Sequence, residues 1–88
     1  MESQKDWFDN LYLQCSPKMV SIAVRAGLTV EEAEEITQDV FLLFMVKAPA
    51  IRKQNSSPTA YLSATLRNLL GDALRRRRRE GSRREMLE

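Results

Sequence analysis

The chain has 88 residues, 43% hydrophobic and 30% charged, with three glycines, three prolines, one cysteine and no histidine. That length allows one small domain with a single modest core. A lone Cys15 and the lack of histidine exclude an internal disulfide, a metal site of the His/Cys type and histidine acid–base chemistry.

In chain order, Phe8, Leu11, Tyr12, Cys15, Met19, Ile22, Ala23 and Ala26 recur at threes and fours, which predicts an amphipathic helix over about residues 5–26. Pro17 interrupts it. The phase is unchanged across the proline, so the helix either kinks near Ser16-Pro17 or splits there, with Ser16 as cap and Pro17 as first residue of a new helix. Gly27 then ends it.

The stretch "LTVEEAEE" carries a second start signal, with Thr29 as cap and Glu32 three residues on as its reciprocal partner. Ala33, Ile36, Thr37, Val40, Phe41 and Phe44 share one side of this second helix, which is expected to run to about Lys47, before Pro49. Across from them lie Glu31, Glu35, Gln38, Asp39 and Leu42. The segment "APAIRKQNSS", residues 48–57, reads as a connecting loop. Ser57-Pro58 opens a third helix, with Leu62, Leu66, Leu69, Leu70 and Ala73 inward and Ala64, Arg67, Asn68, Gly71 and Arg75 roughly opposite. Nothing breaks that pattern before Gly81. The expected fold is therefore an all-α, compact three-helix domain over residues 1–80, with 81–88 as a flexible tail or the start of a linker.

Charge is unevenly distributed along these elements. Residues 1–44 carry three Lys/Arg against eight Asp/Glu, and residues 45–88 carry eleven against four. Such asymmetry points to two surfaces with different partners, one of them polyanionic or membranous. Acids at helical spacing are the usual solvated arrangement, so the chain reads as a binding module and not as an enzyme, with no cofactor. Leu42, exposed one turn beyond Glu35, Gln38 and Asp39, gives that face the apolar centre and charged edge of a protein contact. Arg52, Lys53, Gln54 and Asn55 offer cations for phosphate and amides for base edges, and Tyr61 either stacks on an unpaired base or caps the core. The five arginines from Arg75 to Arg79 cover more than one helical turn, so only some reach one partner. A membrane-surface role would need the leucines that the core requires, so none is expected. No apolar run approaches the roughly 18–20 residues of a spanning helix, and "MESQKDWF" is not a signal sequence; the chain reads as cytoplasmic.

"EEAEEITQDVFLLF", followed after a polar stretch by "AYLSATLRNLLGDALRRRRR", resembles region 2 of the bacterial RNA polymerase sigma factors, in particular the extracytoplasmic-function group. Glu32, Ala33, Glu34, Glu35, Ile36, Thr37, Gln38, Asp39, Val40, Phe41 and Leu42 stand in the family order in the second helix, and Leu62, Arg67-Asn68, Asp72 and Arg75-Arg76 follow it in the third, with Tyr61 at the aromatic position before Leu62. The chain departs from the pattern at Tyr61, Ser63-Ala64 and Leu43, where many members have tryptophan, an aromatic with an arginine, and a cation.

The resemblance implies a domain that binds core RNA polymerase and recognises and melts the minus-ten promoter element. The patch for the clamp helices of the largest polymerase subunit would be Glu35, Gln38 and Asp39, with Glu31 and Leu42 beside them. The non-template single strand would meet Arg52, Lys53, Gln54, Asn55, Tyr61, Arg67, Asn68, Arg75 and Arg76. An anti-sigma factor is admitted as a further partner. No helix-turn-helix unit for the minus-thirty-five element stands in these residues, so the expectation is either one domain of a longer factor or a region 2 that relies on a partner subunit. A different reading stays open beside it: a small adaptor whose acidic helix binds a protein and whose basic helix binds nucleic acid without sequence preference.

Overall fold

A computed structural model describes residues 2–87. They form three helices, α1 (Gln4–Arg25), α2 (Val30–Lys53) and α3 (Pro58–Leu87), which is the all-helical architecture expected. α2 is the central helix and packs against both neighbours, while α1 and α3 touch each other sparsely.

Local chemistry accounts for the helix ends. Ser3 caps α1 by accepting from the Asp6 backbone N–H at 3.1 Å. At its other end the Leu28 N–H reaches the Ala23 carbonyl (3.1 Å) and the Gly27 N–H the Val24 carbonyl (3.0 Å). This is the paired closure that needs a residue of positive φ, and Gly27 supplies it at 120°. The capping box of α2 is present as expected: the Thr29 hydroxyl accepts from the Glu32 N–H (3.1 Å), and the Glu32 carboxylate accepts from the Thr29 N–H (2.9 Å). Ser57 caps α3 through the Ala60 N–H at 3.2 Å.

Of the two alternatives at Pro17, α1 takes the unsplit one: the proline lies inside a continuous helix. Two other expectations need correction. α2 does not stop before Pro49 but continues to Lys53, so Arg52 and Lys53 belong to its last turn and the connection shrinks to residues 54–57. A proline frees the carbonyl four residues earlier. Those residues, Leu13 and Met45, are 71% and 54% exposed, so both vacated carbonyls lie on the wet side of their helices, where water can bond them. Burial of Ala48 and Ile51, on either side of Pro49, anchors the extra turn. Its stop signal is Asn55, at φ 53°, with the Ser56 N–H on the Ile51 carbonyl at 3.0 Å and the Asn55 N–H on the Arg52 carbonyl at 3.2 Å. Finally, α3 passes through Gly81 to Leu87; a helical glycine costs about 1 kcal/mol relative to alanine, too little to end a helix by itself.

All six residues expected on the inner side of α2 are buried, and Leu62, Leu66 and Leu70 of α3 complete the core with Met19 and Ala23 of α1. The buried Thr37 hydroxyl donates to the Ala33 carbonyl at 2.8 Å, so burial leaves it satisfied. Phe44 is the hub at one end: its ring lies 5.7 Å from Trp7, 5.7 Å from Phe8, 6.3 Å from Phe41 and 5.8 Å from Tyr61. It thereby joins all three helices.

Candidate functional site

Because Ala33, Ile36, Val40 and Phe44 turn α2 inward, the residues half a turn away must face out. Glu31, Glu35, Gln38, Asp39 and Leu42 are all exposed, Leu42 at 60%. The face continues beyond the expected set, with Leu43, Met45 and Val46 at 47%, 54% and 77% exposure. The outer side of α2 is thus acidic over its first half and apolar over its second. The signal was present in "FLLFMV", which holds more apolar residues than one inward face can bury. Gln38 and Leu42 border a hollow on the α1 side with Phe8 and Tyr12. Glu35 and Asp39 border a groove on the α3 side, floored by Ile36, Leu69 and Ala73 and closed by Arg76, Arg77 and Glu80.

The residues expected at nucleic acid are not all brought together. Arg52 is engaged with the start of α1: its guanidinium donates to the Gln4 Oε1 at 3.2 Å and to the Glu2 carbonyl, and lies over the Trp7 ring, 5.6 Å from its centroid. Lys53, Gln54 and Asn55 are exposed in and beside the turn after it, and the left-handed backbone of Asn55 gives that residue a structural reason as well. Tyr61 is half-buried against Phe44, which is the core-capping arrangement with part of the side chain still accessible. Arg67 and Asn68 are both exposed, but neighbours on a helix diverge by about 100°. Arg67 borders an apolar groove between α1 and α3 with Lys18, Met19, Ile22 and Leu66, and Asn68 faces away from it.

The arginine run divides by helical geometry. Arg75 pairs with Asp72 one turn back along α3. Arg76 enters the groove beside Glu35 and Asp39, so it lies with the acidic face of α2. Arg77 bridges to the Glu32 carboxylate at 2.9 Å and donates to the Gly27 carbonyl, clasping the α1–α2 turn. Arg78 and Arg79 are exposed. Glu32 is consequently a three-way junction: hydrogen bonds from the Thr29 backbone and then its hydroxyl, followed by the charge of Arg77, hold its carboxyl below its ordinary value. Neither the Arg52–Trp7 nor the Arg77–Glu32 contact has a local sequence signature, since the partners lie 45 residues apart in each case.

Among the described residues, no group of three or more His, Cys, Asp or Glu is placed to hold a metal ion, and no helix is long and apolar enough to cross a membrane. The arrangement offers recognition surfaces: an acidic-to-apolar ridge on α2, and a cationic, amide-bearing turn that continues onto α3. A family model described as sigma-70 region 2 matches residues 11–80. No curated protein and no solved structure matches the chain.

Proposed function

The chain belongs to the sigma-70 region 2 family, whose members bind RNA polymerase and recognise promoters as non-enzymatic initiation factors, and on that premise we propose that it is the region 2 of an extracytoplasmic-function type sigma factor. It works in the cytoplasm, with residues 1–80 as the working domain and 81–88 leading out of it. The outer face of α2, Glu31, Glu35, Gln38, Asp39 and Leu42, docks on the clamp helices of the largest polymerase subunit. The α2–α3 turn and α3 hold the non-template strand of the minus-ten element. Lys53, Arg67 and Arg76 act on its backbone, Gln54, Asn55 and Asn68 on base edges, and Tyr61 on a base face. Arg52 and Arg75 complete the cationic set when their present contacts, with Gln4 and Glu2 and with Asp72, are exchanged for phosphate. An anti-sigma factor covering either surface would silence it.

The observation that carries this reading is the division of α2 itself: one side is the core of the domain, and the other exposes an acidic stretch continuous with unpartnered leucines. A merely solvated face has no reason to present Leu42, Leu43, Met45 and Val46 in one band. Replacing Glu35, Gln38 and Asp39 together by alanine should abolish association with core polymerase in a pull-down while leaving the helical circular dichroism intact. Unchanged association would remove this face of α2 as the polymerase-binding surface.

A further inference from the structure

Trp7 is the chain's only tryptophan, and it lies outside the residues matched by the family model, which begin at Leu11. It is half-buried, with Phe44 at one side, 5.7 Å between centroids and tilted by 38°, and the Arg52 guanidinium over its ring. Tyr61 packs against the same Phe44. Two half-buried aromatics from different helices therefore flank one buried ring, at the end of the domain where Lys53, Gln54 and Asn55 emerge.

The way Arg52 is held is informative. Both groups that accept its hydrogen bonds, the Gln4 amide oxygen and the Glu2 backbone carbonyl, are neutral and belong to exposed residues. A guanidinium held by neutral partners keeps its full charge to offer a phosphate, to which it bonds more strongly. The contact that it would give up over Trp7 is a single cation–π contact between half-buried groups, 5.6 Å from the ring centroid, and stacking of a nucleobase on an aromatic ring is of comparable strength. The exchange strengthens the pairing of the guanidinium while the ring stays covered.

We propose that Trp7 is a nucleobase platform: an unpaired base of single-stranded DNA stacks on the indole in the place now taken by Arg52, and the released guanidinium binds the adjoining phosphate. This rests on the reading that the α2–α3 end of the domain holds single-stranded DNA, and it adds α1 to that interface. Arg52 thereby acts as a gate, covering the ring in the free protein and clamping the strand in the complex.

Titration with a short fluorescein-labelled single-stranded DNA, followed by anisotropy, measures binding. In parallel, the emission of Trp7 against an unlabelled strand measures stacking, since no other tryptophan contributes. The strand should quench Trp7, an abasic strand of the same length should bind without quenching it, Trp7→Ala should weaken binding roughly tenfold or more, and Trp7→Phe should retain most of the affinity. Should Trp7→Ala unfold the domain, the abasic comparison on the unaltered chain still decides. Binding by anisotropy with no base-dependent quenching would overturn the platform while leaving the DNA reading intact. An absence of binding by anisotropy would overturn the DNA reading, and the platform with it.

Discussion

Phe44 is fully buried and its ring meets four other aromatics drawn from α1, α2 and α3, so Phe44→Leu perturbs the joint of the domain with little change of polarity. Leucine restores most of the buried apolar area but none of the ring pairing. Aromatic pairs contribute about 0.5–1.5 kcal/mol each beyond area burial. Four pairs around one ring are not additive, so the expected loss is about 2 kcal/mol, below the roughly 3–5 kcal/mol of a Phe→Ala cavity. A small domain has only about 0.05–0.15 kcal/mol of stability per residue. The loss should therefore be plain in a urea titration followed by circular dichroism, as a lower midpoint at unchanged slope. Because Trp7 rests on Phe44, its emission in the folded variant should also shift, before any unfolding. Leu42→Ala on the exposed face is the control, expected within about 0.5 kcal/mol of the parent. A Phe44→Leu variant as stable as that control, with unshifted Trp7 emission, would refute the packing described here.

Asn55→Gly separates the two duties of that position, since glycine adopts positive φ freely. Its melting temperature should match the parent, while discrimination among single-stranded oligonucleotides should fall; loss of stability without loss of discrimination would leave Asn55 a cap alone. Glu32 has a folded-state pKa below its unfolded one, so its stabilising contribution is present above the unfolded value of about 4.3 and disappears as pH falls through the folded value. Acid titrations of stability should show this component in the parent and lack it in Glu32→Gln, and identical acid profiles would contradict the junction with Thr29 and Arg77.

Much of this architecture was legible in the residues because it is local. The capping box at Thr29 and Glu32, the Ser57-Pro58 start of α3 and the inward set from Ala33 to Phe44 depend on spacings of three and four, and the structure holds them as read. The end of α2 was misread because Pro49 is a local signal overruled by non-local packing: Ala48 and Ile51 find core to enter, and the carbonyl that the proline frees is wet. Asn55 was visible as a polar turn residue, but its left-handed backbone depends on where the helix ends. The ridge from Glu31 to Leu42 followed from the wheel. The partition of the arginines did not, because the positions of Arg76 and Arg77 depend on how α3 crosses α2, and that of Arg52 on the start of α1.

The central claim is that the outer face of α2 meets the polymerase while α3 meets DNA. A photo-crosslinking amino acid at Leu42, compared with one at Arg67, tests it most directly when each variant is mixed with core polymerase. Position 42 should crosslink to the largest subunit and position 67 should not; crosslinking from 67 alone, or from neither position, would contradict the assignment of these two faces.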